Sequence, residues 1–211
     1  IFFGVSLCAT SKNTDEVVSD EFLKWLSDKG SLWTWCFHYV PVGNSPDPSL
    51  IPSADQREHI KQNIYNARNT LPMMTVDFWG DGPEMMGCIA GGRQYVHVNA
   101  TGDVEPCTFV HLATHNVKDS TITEALQSPF FRAIRKGAPY DGNMMRPCMI
   151  VDHPWVSRGY VKKFKPYATH PGADDYLTKP EIVDQIDQYA RDVKEIMDKN
   201  WNDDYYMTLF P

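Results

Sequence analysis

Cys88, Gly102 and Cys107 form a Cys-x13-Gly-x4-Cys arrangement, and Cys148 follows beyond a helical stretch. Residues 95–99 (Tyr-Val-His-Val-Asn) alternate like a strand. Ala-Thr-Gly102 supplies a turn, and Asp-Val-Glu-Pro-Cys107 runs back. A hairpin of this kind returns Cys107 toward Cys88, so two thiols distant in sequence converge. Thiolates gathered without a nearby disulfide partner point to an iron–sulfur cluster or zinc. Free cysteine otherwise behaves as a small buried hydrophobe. Cys8 and Cys36, each inside a strand-like run, are expected in the core.

Other candidate ligands carry less. His97 and His111 flank Cys107 and suggest a mixed zinc site, but His97 shares a strand side with Tyr95 and Asn99 and reads as an ordinary half-buried residue. His38, His115 and His170 have no partner at ligand spacing. Gly91-Gly92 lacks the Gly-Lys-Ser/Thr of a phosphate loop, so its expected role is to let backbone pass close to the metal site. The paired methionines 73–74, 85–86 and 144–145 read as core filling.

The elements that must position these residues begin with an apolar run from Phe2 to Ala9, suited to a strand buried on both faces. Ser19-Asp-Glu starts a helix with Phe22, Leu23 and Leu26 on one side, and Gly30 ends it. Leu32 to Val42 reads as a second strand. Ser53 caps the next helix, with Ile60, Ile64 and Ala67 on one face, and Met74 to Trp79 reads as a third strand. Strand alternating with helix predicts a parallel α/β sheet or barrel with right-handed crossovers. After Gly80-Asp-Gly-Pro83 the rhythm changes and the cysteine hairpin follows. Thr121 and Glu124 suit a capping box for a helix toward Arg135, interrupted or kinked at Pro129 and ended at Gly137. Thr178 and Glu181 suggest a second box, ahead of an apolar stripe through Ile182, Ile186, Tyr189, Val193 and Ile196.

A chain of 211 residues can bury a sizeable core, and 42% hydrophobic with 22% charged residues is ordinary for a globular protein. The net charge of −7 argues against a nucleic-acid partner, which needs a basic face. No apolar run is long enough to cross a bilayer, so no membrane partner is expected. Five cysteines are too few for a disulfide scaffold, which favours a reducing, cytoplasmic setting. The opening Ile-Phe-Phe-Gly-Val-Ser-Leu has no basic region ahead of it and reads as a strand already under way, so an upstream part of the protein is expected.

Together these features resemble the C-terminal half of a radical S-adenosylmethionine enzyme with a SPASM or twitch-type auxiliary-cluster domain. Cys88, Gly102 and Cys107 match the hairpin that opens the auxiliary domain in that family. Gly87-Cys-Ile-Ala-Gly-Gly-Arg93 and Val98-Asn-Ala-Thr-Gly-Asp-Val-Glu-Pro-Cys107 are similar to it beyond the cysteines. Phe3–Asn13 resembles the fifth barrel strand and its loop, and Trp35–Gly43 the sixth. The Cys-x3-Cys-x2-Cys that binds and cleaves S-adenosylmethionine is absent, as is the second cysteine group of a full SPASM domain.

The resemblance implies a partial (β/α) barrel over 1–80, a small α+β auxiliary domain over 81–165 and a helical extension over 166–211. It implies one auxiliary 4Fe–4S cluster on Cys88, Cys107 and Cys148, with zinc as a possible substitute. Asp152 or His153 is the candidate fourth ligand, unless one iron stays open. Thr10 and Pro41-Val42-Gly43, at strand ends, are candidate contacts for S-adenosylmethionine. The implied activity is hydrogen abstraction by a 5′-deoxyadenosyl radical from a peptide or small molecule. The alternative is a non-enzymatic metal-binding or electron-transfer module. A strand edge at Phe2–Ala9 would be covered by the missing barrel half or by a second copy of the chain.

Overall fold

The computed structural model describes residues 1–202. Its first part is a three-stranded parallel sheet in the order β1 (Val5–Ala9), β2 (Trp33–His38), β3 (Met74–Asp77), with Leu7 beside Cys36 and Trp35 beside Val76. Two helices, α1 (Thr14–Val17) and α2 (Asp20–Asp28), connect β1 to β2. A 3-10 turn (Pro48–Leu50) and α3 (Ala54–Thr70) connect β2 to β3. Ser19 caps α2 by accepting from the Phe22 amide. Ser53 and Gln56 form a full capping box on α3.

The sheet does not close into a barrel. One face is covered: Leu7, Ala9 and Cys36 pack against Leu23, Leu26, Ile60, Ile64 and Ala67 of α2 and α3. The alternate residues point the other way, leaving Trp33 36%, Trp35 43% and Met74 58% exposed. The expectation of a first strand buried on both faces is therefore corrected, since Phe2 is 86% exposed. Cys36 is buried in the core, but Cys8 is not; it sits one residue out of phase, on the open face. The methionine pairs also split: Met73 and Met145 are buried, whereas Met74 and Met86 lie on the surface.

Beyond β3 the chain forms a hairpin, β4 (His97–Val98) with β5 (Val104–Glu105), then β6 (Leu112–Ala113), α4 (Ile122–Gln127) and α5 (Pro129–Gly137). Thr121 and Glu124 make the expected capping box. Pro129 does not kink one helix but opens a second, capped by Ser128, because proline is well suited to a first helical position. Next come α6 (Pro154–Phe164), β7 (Tyr167–Ala168) paired antiparallel with β6, α7 (Asp175–Thr178) and α8 (Pro180–Asn202). The box at Thr178 does not form. Its hydroxyl donates to the Asp174 carbonyl and closes α7, while Pro180 starts α8. Ile182 and Ile186 join Phe130, Phe131, Val104 and Ile150 in one core. Val193 and Met197 join Ala54 and Met145 in another.

Candidate metal centre

The three cysteines lie on three different turns. Cys88 follows Gly87, whose φ of +93° turns the loop after β3. The Gly91 amide donates to the Pro106 carbonyl at 2.8 Å, which ties this loop to the residue before Cys107. Cys107 lies two residues beyond β5, the returning strand of the hairpin, and is bridged to Val110. Cys148 sits in a turn whose carbonyl accepts from the amides of Asp152 and His153, both at 3.1 Å. All three cysteines line one cavity of about 390 Å³.

The sulfur environments share one design. Cys88 Sγ accepts from the Ala90 amide at 3.4 Å, Cys107 Sγ from the Phe109 amide at 3.5 Å, and Cys148 Sγ from the Ile150 amide at 3.4 Å. In each case the donor is two residues downstream, so the backbone wraps around the sulfur. Amides aimed at sulfur stabilise a thiolate and a metal–thiolate bond. Cys107 has a further neighbour: the Tyr95 hydroxyl lies 2.9 Å from its sulfur. Burial pushes the Cys88 thiol up to about 11, with Cys107 beside it adding to the shift. Burial likewise raises Cys107 and Cys148. The thiols are thus neutral until a cation displaces their protons.

Among the described residues, no three His, Cys, Asp or Glu side chains converge tightly enough for one metal ion. Four-coordinate zinc at a Zn–S distance of about 2.3 Å would need sulfurs about 4 Å apart. A cubane cluster takes one thiolate at each of its corner irons, so its ligand sulfurs stand further apart. Three amide-wrapped thiols spread around a cavity fit a cluster better than a lone ion.

Asp152 and His153 are engaged elsewhere and do not line the cavity. Asp152 is fully buried, held by Arg57 and by the Cys148 amide. His153 donates through Nε2 to the Arg146 carbonyl at 2.9 Å, and burial lowers its basicity. Thr10 follows β1, its amide donating to Asn13 Oδ1 at 2.7 Å. Pro41, Val42 and Gly43 follow β2 at the same edge of the sheet, and none of the four lines the cysteine cavity. Gly91 and Gly92 are needed for helix packing: a Cβ there would stand 2.5 Å from Ile134 or 2.3 Å from Leu126. His170 meets His111 at 2.9 Å, a contact that their spacing of 59 residues did not suggest.

Sequence reasoning missed Tyr95, although the hairpin register contained it. His97 faces Glu105 and Val98 faces Val104, so the same register places Tyr95 opposite Cys107. It also missed the buried tyrosines near the cysteines. Tyr176 is 1% exposed and its hydroxyl has no partner among the described residues. Burial raises Tyr176 and Tyr140, and the nearby cysteines add to both shifts.

The family description of SPASM, an iron–sulfur cluster-binding domain, matches residues 88–150, which includes all three cysteines. An AdoMet-dependent heme synthase from Oleidesulfovibrio alaskensis is 24% identical over 148 residues, covering 58% of this chain. The match spans 38% of that relative's length. No solved structure matches the chain. Residues 88–150 are therefore a SPASM-type iron–sulfur segment of the kind associated with radical S-adenosylmethionine enzymes.

Proposed function

We propose that this chain is the auxiliary-cluster part of a radical S-adenosylmethionine enzyme, with one 4Fe–4S cluster held by Cys88, Cys107 and Cys148. The carrying observation is the repeated sulfur environment: three thiols on one cavity, each with the amide two residues downstream aimed at it. A bound cluster supplies one-electron transfer. The chain's own residues hold it, donate to its thiolates and exclude water. Three cysteines would leave one iron of such a cluster without a thiolate, and Asp152 and His153 are engaged elsewhere.

The cavity also borders β3 at Met74, Val76 and Phe78, on the open face of the sheet. We read that sheet as the last strands of a partial barrel. A substrate in the cavity would then lie between the auxiliary cluster and a S-adenosylmethionine site at the strand ends near Thr10 and Gly43. The sequence contains no Cys-x3-Cys-x2-Cys, so the cofactor-cleaving motif is not among these residues.

The walls favour a small molecule with a large apolar body over a peptide. Arg68 is paired with Asp81, Arg93 donates to the Met85 and Met86 carbonyls, and Arg135 donates to those of Gly91 and Leu126. Few polar groups remain to meet buried peptide amides, each costly when unpaired. The name of the heme synthase relative agrees with this preference.

The test is iron and acid-labile sulfide analysis, with electron paramagnetic resonance, on anaerobically prepared protein. The expected result is one cluster per chain and its loss in Cys107→Ala. Protein without iron, or unchanged iron in the variant, overturns the reading. The missing cofactor motif favours one alternative, a metal-binding or electron-transfer module. It would be supported by a loaded cluster with no binding of S-adenosylmethionine to the whole polypeptide.

A further inference from the structure

We propose that Asp152 is a positioning residue for Cys148: its buried carboxylate, ion-paired to Arg57 of α3, accepts from the Cys148 amide and so fixes the cluster ligand. The proposal rests on the iron–sulfur reading of the three cysteines. It assigns Asp152 a role different from ligation.

Arg57 is 2% exposed and Asp152 is fully buried. Arg57 Nη1 donates to Asp152 Oδ1 at 2.5 Å, and Nη2 donates to Oδ2 at 3.2 Å and to the Met145 carbonyl at 2.7 Å. Oδ2 also accepts from the Cys148 amide at 2.9 Å. Three of the carboxylate's roughly four acceptor directions are thus taken. Tyr189 of α8 hydrogen-bonds the same guanidinium. Burial opposes the arginine's charge, yet Asp152 beside it more than restores it, so the guanidinium stays charged.

The arrangement joins three remote pieces of chain. Arg57 belongs to α3, the helix between β2 and β3, and Asp152 lies 95 residues later in the cysteine turn. Any displacement of α3 is passed through a rigid two-point fork to the backbone of Cys148. A purely structural reading makes a different demand. Well-packed apolar residues often replace a buried ion pair at no cost in stability, so packing alone does not require this pair. What an apolar pair lacks is an acceptor for the Cys148 amide.

Two neutral double variants separate these roles. Arg57→Met with Asp152→Asn keeps an acceptor, and Arg57→Met with Asp152→Leu removes it. Both also avoid leaving a buried charge unpaired. The leucine double should lose iron to a chelator ~10-fold faster than wild type or more, the scale on which partners behind a ligand act. The asparagine double should stay close to wild type. Equal melting temperatures of the two cluster-free doubles would show that the contrast does not come from stability.

The rate of Cys148 alkylation in cluster-free protein, read by mass spectrometry, gives a second measure: faster in the leucine double only. If both doubles match wild type, or both are equally impaired, the proposal is overturned. Failure of the iron–sulfur reading would look different: wild type would hold no iron, while the alkylation contrast would still decide the clamp.

Discussion

At Cys107 a phenol and a backbone amide meet one sulfur, whereas at Cys88 and Cys148 backbone amides alone do so among the described residues. Hydrogen bonds to a cluster's sulfur spread its negative charge and favour the reduced, more anionic form. Tyr95→Phe should therefore make the cluster harder to reduce, shifting its potential downward while iron content stays the same. A redox titration followed by electron paramagnetic resonance measures this, and an unchanged potential would sink the idea. The cysteine spacing was legible because a hairpin is a local structure and its register follows from alternation. Arg57 was not legible, since nothing near it in sequence marks a partner 95 residues away. Asp152 was legible by type but not by use. A carboxylate beside a ligand looks the same in sequence whether it faces a metal or a guanidinium.

The hairpin between β4 and β5 sets the convergence of the cysteines, and Gly102 makes its turn possible. Its φ is +93°, and a Cβ there would meet Asn116 Oδ1 at 2.8 Å and Val117 Cγ2 at 3.1 Å. Asn116 is not free to yield, because its Nδ2 donates to Asp103 Oδ1 at 2.8 Å and to the Thr101 carbonyl at 3.1 Å. Gly102→Ala should cost about 1–3 kcal/mol through strain and crowding. Thermal unfolding of the cluster-free protein checks it, and an unchanged midpoint would show that the turn tolerates a side chain. Elements with strong local signals, such as the cap at Ser53 and the box at Thr121, were readable from sequence. The apparent box at Thr178 failed because Pro180 provides a competing helix start and Thr178 is already used to close α7. Strand lengths were overestimated where an apolar run continued past its pairing. Tyr39 to Gly43 extends β2 in composition but turns away once Pro41 removes a donor.

Across the whole molecule the sheet is the unfinished part. Parallel sheets are normally covered on both faces, yet here α2 and α3 cover one, and Trp33, Trp35 and Met74 remain open on the other. Among the described residues no strand lies beside the outer edge of β1. No described helix is long and apolar enough to cross a membrane. The cavity that holds the cysteines opens on the same side, through Met74 and Val76. One additional layer of strands would cover the edge, the aromatic face and the cavity mouth together. We therefore expect the 211-residue chain, purified alone, to self-associate in light scattering as concentration rises. Trp35→Lys should shift it toward monomer, because it places a charge on the exposed face. A chain that stays monomeric at high concentration, with or without the substitution, would mean that this face needs no cover and that the partial-barrel reading is wrong.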